Sequence, residues 1–130
     1  MTDQRPECVY GVLVREQRAF LARSDGGLGL PGGIFRPLAE DRKIELRAHL
    51  YDQLKIDARA IWAQGAFLYR HPSEPCERFS GFYTVWEWDG EIAENAGDWL
   101  DTDAVTASSL PAALRVLLLS VLATLALRTR

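Results

Sequence analysis

The sequence predicts an α/β (α+β) domain, a mixed β-sheet with helices packed on its faces, and three features predict it. Strand-like and helix-like segments follow one another in the order strands, helix, strands, helix. A Gly-rich turn, Gly29-Leu30-Pro31-Gly32-Gly33, runs into a charged helix from about Ala39 to Leu54. The stretch Phe79–Trp88 carries aromatic residues on both faces, as a central strand covered on both sides does.

Each element has a local reason. Cys8–Arg15 is rich in Val, Leu and Tyr and reads as a strand, with Glu16-Gln17 as a tight turn and Arg18–Arg23 as its hairpin partner. Ser24-Asp25-Gly26-Gly27 is a loop. Leu28–Leu30 and Ile34-Phe35 are short extended pieces around the Pro-Gly-Gly turn. Ile56–Tyr69 is long enough for one bent strand or two, with Gly65 at the bend. His71–Arg78 is a loop between strands. Asp89–Asp98 is an acidic loop, and Trp99-Leu100 is short and extended. Leu110–Leu127 is the closing helix, with Ser108 or Ser109 as its cap. Its apolar residues go nearly all round, so it is expected to pack on two sides, one of which can be a second subunit.

A chain of 130 residues, 48% hydrophobic and 25% charged, fits one globular domain spanning 1–130. The net charge of −3 speaks against a nucleic-acid duplex as partner, while a free nucleotide needs only a local Arg cluster. Two cysteines, Cys8 and Cys76, and two histidines are too few for a disulfide framework or a structural zinc site. The first seven residues hold no apolar signal core, and the apolar run Val116–Leu127 is far short of the ~20 residues a bilayer span needs. The expected setting is the cytoplasm, with no membrane contact.

The first helix carries the chemistry. Asp41, Glu45, His49 and Asp52 follow at steps of four, four and three residues and form one stripe, with Gln53 beside it. Leu46, Leu50 and Leu54 form a second stripe, the core face. Carboxylates and an imidazole next to a Gly-rich loop can hold a divalent cation. A polar stripe is equally what the solvated face of an amphipathic helix looks like.

The turn Leu30-Pro31-Gly32-Gly33, the helix after it, and Trp99-Leu100 after an acidic loop resemble the Nudix hydrolase superfamily. That pattern runs Gly, five residues, Glu, seven residues, then Arg-Glu-apolar-any-Glu-Glu-any-Gly-apolar. Two registers fit. The preferred one aligns Ala48–Ile56 with the end of the pattern, keeps Leu50 and Ile56 apolar, and puts Glu40 at the first Glu after a one-residue insertion. It sets Ala48 at the Arg, His49, Asp52 and Gln53 at the acids, and Lys55 at the late Gly. The other needs no insertion and puts Arg47 at the Arg, with Ala48, Tyr51 and Asp52 at the acids.

The resemblance implies an α/β/α sandwich and Mg²⁺- or Mn²⁺-dependent cleavage of a nucleoside diphosphate linked to another group. It implies Gly33, Glu40, Glu45, His49 and Asp52 as metal ligands and Asp52 and His49 in catalysis. Glu94 is the preferred base from the acidic loop, where Glu91 and Asp98 are alternatives. Gly32, Gly33, Arg70 and Arg78 would meet the substrate. With two of three carboxylates and the Arg gone, the expectation is a divergent hydrolase with weakened or shifted activity. The alternative is a catalytically inactive module that binds a ligand or a partner. A structural homodimer through the last helix is a third reading.

Overall fold

The computed structural model describes residues 6–36 and 41–128. Its centre is a seven-stranded mixed sheet. β1 (Cys8–Arg15), β2 (Arg18–Ser24) and β3 (Gly27–Gly29) form an antiparallel meander. β4 (Gly32–Ile34) returns antiparallel to the start of β1, pairing Gly32 with Tyr10 and Gly33 with Val9. β7 (Arg78–Val85) runs parallel to β1 on its other side, and β6 (Ile61–Tyr69) closes that edge antiparallel to β7. β9 (Gly97–Leu100) pairs with β2. A separate two-stranded pair joins β5 (Asp57–Ala58) to β8 (Trp88-Asp89). A 3₁₀ turn covers Glu94–Ala96.

The helices are α1 (Arg42–Leu54), α2 (Thr102–Ala107) and α3 (Ala112–Arg128). The period-2 geometry of β1 sorts its side chains onto the two faces of the sheet. Val9 and Leu13 pack with Leu46, Leu50 and Leu54 of α1. Cys8, Tyr10, Val12 and Val14 pack with Leu114, Leu118, Val121 and Leu122 of α3. Helix, sheet and helix are thus three layers with two cores, as expected. No helix among the described residues is long and apolar enough to cross a membrane.

Most local expectations hold. Glu16 and Gln17 sit at φ 53° and 64°, the pair of left-handed residues that a two-residue hairpin turn demands. Gly65, at φ 127°, follows the bulge that shifts the β6–β7 register after Ala63. Other expectations need correction. The Phe79–Trp88 strand is central, between β1 and β6, but it ends at Val85, and Trp88 leaves to pair with Ala58. α1 begins at Arg42, because the Asp41 carboxylate accepts the Lys43 and Ile44 N–H groups and caps it; Ala39 and Glu40 lie outside the described residues. α2 was not foreseen, being a single capped stretch of six residues that starts on the Asp101 carboxylate. Neither Ser108 nor Ser109 caps α3: Ser108 Oγ donates to Val105 O at the end of α2, and the Arg115 N–H donates to Pro111 O. Within one chain α3 packs against the sheet on one side and leaves Val116 and Leu127 exposed, a face open to the second subunit the sequence allows.

Candidate functional site: the turn between β3 and β4 and the face of α1

The site is built where β3 turns into β4. Pro31 O accepts from the Gly11 N–H and the Tyr69 hydroxyl accepts from the Leu30 N–H, so both ends of the turn are tied to the sheet. Gly32 has φ 143°, and a Cβ there would collide with the Val9 carbonyl. Only glycine lets β4 lie this close to β1.

α1 runs beside β4 and holds it by three side chains, one per turn. The Gln53 amide grips the Gly32 peptide at both ends: Oε1 accepts from the Gly32 N–H at 3.0 Å and Nε2 donates to Gly32 O at 2.7 Å. His49 Nε2 lies 2.8 Å from Ile34 O, so that nitrogen carries the proton and donates. Its ring lies on Gly33, where a Cβ would come within 3.0 Å of Cε1. Glu45 forms a two-point pair with the Arg36 guanidinium at 2.8 and 3.0 Å. The arrangement follows from two repeats. Four helical residues advance about 6 Å, and two strand residues advance about 6.6 Å, so positions 53, 49 and 45 match 32, 34 and 36 in antiparallel order. Glu45 is buried, and the Arg36 side chain holds its carboxyl below the usual value of 4.5.

The preferred register fits this geometry. Leu50 and Ile56 are fully buried, and Lys55, at φ 59° and ψ 36°, takes the left-handed position that ends α1. That is the place the pattern gives to glycine.

The expected metal ligands do not converge. Glu45 faces Arg36, His49 and Gln53 face backbone carbonyls, and Asp52 is exposed on the helix flank. Glu40 lies outside the described residues. Among the described residues no three His, Cys, Asp or Glu side chains lie together as a ligand set. Mg²⁺ demands a near-octahedral oxygen shell, anchored by one or two carboxylates, and an amide locked on a peptide supplies none of it. These side chains do not fit such a cation.

A cleft of about 640 Å³ opens beside the Gly32 peptide and the end of α1. Tyr10, Leu30, Pro31 and Leu54 give it an apolar floor, and Arg23, Ser24, Gln53, His71 and Asn95 give it a polar rim. The His71 ring lies parallel to Tyr10, with centroids 5.8 Å apart. Its Nδ1 accepts the Ser73 N–H, and burial pushes its pKa below 6.5, so the ring is neutral at pH 7. Arg23 is paired with Asp98 at 2.9 Å.

The other expected site residues are placed elsewhere. Arg70 lines a second cavity of about 580 Å³ and donates to Glu74 O. Arg78 sits at the start of β7, 3.4 Å from the Glu7 carboxylate and 3.9 Å from that of Glu74. Glu94 is exposed on the 3₁₀ turn, whose next two residues line the cleft. Of the expected substrate residues only Gly32 lines the cleft, with Gly33 next to it in the chain. Tyr10, Arg23, His71 and Asn95 were missed. Tyr10 and Arg23 lie inside strands and give no local signal. His71, directly after Arg70 in a loop between strands, is a polar residue that position alone could have nominated.

No protein-family model matches the chain, and no curated protein matches it. Solved structures do. A MutT Nudix hydrolase from Burkholderia pseudomallei superposes with a TM-score of 0.68 at 19% identity, over 89% of this chain and 97% of that one. A MutT protein from Bacillus halodurans gives 0.72 at 16%, over 91% and 82%. A third, from a study of MutT in Aliivibrio salmonicida and Vibrio cholerae, gives 0.70 at 22%, over 93% and 99%. The sandwich, its sheet order and the turn held against α1 together give this chain the fold of the Nudix hydrolases.

Proposed function

We propose that this protein is a Nudix-fold module that binds a small ligand in the cleft beside Gly32 and does not hydrolyse it. One observation carries the reading. The side chains at 45, 49 and 53 of α1 are engaged in holding β4 and its loop, so the positions expected to hold a cation serve as structural ties. Among the described residues these three side chains leave no ligand set for a cation that would neutralise a diphosphate or activate a water against it.

The test is a turnover screen of purified protein on nucleoside diphosphate derivatives with Mg²⁺, Mn²⁺, Co²⁺ and Zn²⁺, beside calorimetry of each cation alone. No turnover and no cation binding are expected. Hydrolysis that disappears in Asp52→Asn would replace this reading with that of a divergent hydrolase, for which the exposed Asp52 on α1 is the supporting feature. Ala48→Arg with His49→Glu and Gln53→Glu puts the acids and the Arg back. Gain of hydrolysis there would show that only these side chains separate the chain from catalysis.

A further inference from the structure

We infer that the ligand of the cleft is an uncharged, hydroxyl-bearing molecule with a flat ring, a nucleoside without its phosphates, rather than a nucleotide. This rests on the reading of the cleft as a binding site. Protein sites hold phosphate most strongly by a free cationic side chain, by bare backbone N–H groups, or by a bridging metal. Among the described residues the cleft's Arg23 and the Gly32 N–H are already engaged, and no metal-ligand set is present.

The cationic side chain is Arg23, the one Arg or Lys among the residues lining the cleft. Its guanidinium is already paired with Asp98. A phosphate reaching it would exchange one anion for another and leave the Asp98 carboxylate unpaired beside the new charge. Asp25 and Glu74 also line the cleft, so a polyphosphate entering it meets two further carboxylates. Glu74 has a distant partner in Arg78, and Asp25 has none among the described residues. The His71 ring offers no positive charge, since its Nδ1 already accepts the Ser73 N–H.

The turn's backbone is engaged at the same place. Glycine-rich turns commonly point N–H groups at phosphate, but the Gly32 N–H is donated to Gln53 Oε1. The metal route fails because the α1 side chains do not form a ligand set. What the cleft does offer suits a neutral molecule. Pro31 and Leu54 offer apolar contact for a ring face. The Asn95 amide, without a partner among the described residues, can both donate to and accept from hydroxyls. A volume of about 640 Å³ lies within the range of pockets for small organic ligands.

The experiment titrates the full chain with adenosine, guanosine, cytidine and uridine, with free ribose, and with the matching 5′-diphosphates, each with and without Mg²⁺. Calorimetry gives affinity, and amide shifts at Gly32, His71 and Asn95 give location. At least one nucleoside is expected to bind at those amides, its diphosphate about tenfold or more weaker, with no rescue by Mg²⁺. Free ribose is expected to bind more weakly than the nucleoside, because the floor is then uncovered. Asp98→Asn releases Arg23 and is expected to raise diphosphate affinity about tenfold while leaving nucleoside affinity unchanged. A diphosphate that binds as tightly as its nucleoside, without turnover, overturns this inference and leaves the binding reading standing. Turnover overturns the binding reading itself. No binding by any member of the panel overturns both.

Discussion

Glu45 shows how a single buried carboxylate can tie a helix to the chain beside it. Its carboxylate is buried, and two hydrogen bonds from Arg36 hold it charged. Because its folded pKa lies below the ordinary 4.5, folding favours the ionised form. That contribution is complete above about pH 4.5 and disappears as the pH falls through the lowered folded value. Glu45→Gln is therefore expected to be less stable than the parent at pH 7, by about 1 kcal/mol, since the exposed Arg36 keeps the pair at the weak end of charged hydrogen bonds. The gap should narrow as the pH is lowered below 4.5. Thermal melts of both proteins from pH 7 to pH 3 check it. A gap that stays constant over that range would show that the Glu45 charge contributes nothing.

At the scale of the element, α1 was legible as a helix and illegible as a tool. The Leu46, Leu50, Leu54 stripe fixed its core face, and the structure buries all three. The same wheel placed Asp41, Glu45, His49 and Asp52 on one polar stripe. It could not say that Asp41 caps the helix or that Gln53, set beside the stripe, grips Gly32 instead of Asp52. A wheel gives direction around one helix. It carries no information about what lies opposite, and here a strand of matching repeat lies opposite. The end of the helix gives a sharper prediction. Lys55 holds φ 59° with its N–H on Tyr51 O, a conformation that costs a residue with a Cβ about 1 kcal/mol. Lys55→Gly removes that cost but loses the Lys55 Nζ contact over the Tyr51 ring and makes the unfolded chain more flexible. The net expected effect is a stabilisation of about 0.5 kcal/mol, read as a higher denaturant midpoint with an unchanged slope. A lower midpoint would place the ring contact above the backbone strain.

At the scale of the whole molecule, the layer order was legible because β7 announces its two-sided burial in sequence and the elements follow in the order strands, helix, strands, helix. The cleft was not, because it is assembled from β1, β2, the β6–β7 loop, α1 and the 3₁₀ turn, whose side chains meet only in space. The same distinction governs α3. Its run from Val116 to Leu127 is free of charge, so sequence alone suggests a helix covered on two sides. The sheet covers one, and Val116 at 67% and Leu127 at 70% exposure mark the other. Magnitude decides what that second side can do. Seventeen residues make a helix about 25 Å long, and a face about 10 Å wide along it offers roughly 250 Å². A stable interface takes about 800 Å² from each partner. Self-association through α3 alone is therefore expected to be weak: a monomer at micromolar concentration in sedimentation, with dimer growing in only as the concentration approaches millimolar. Val116→Glu with Leu127→Glu should abolish that growth without lowering the thermal midpoint, because both side chains already stand in water. A dimer that persists at micromolar concentration would require a contact surface wider than α3. If that dimer also survived the double substitution, the surface would lie elsewhere on the molecule, with the exposed Trp62 and Leu68 of the edge strand β6 the next face to alter.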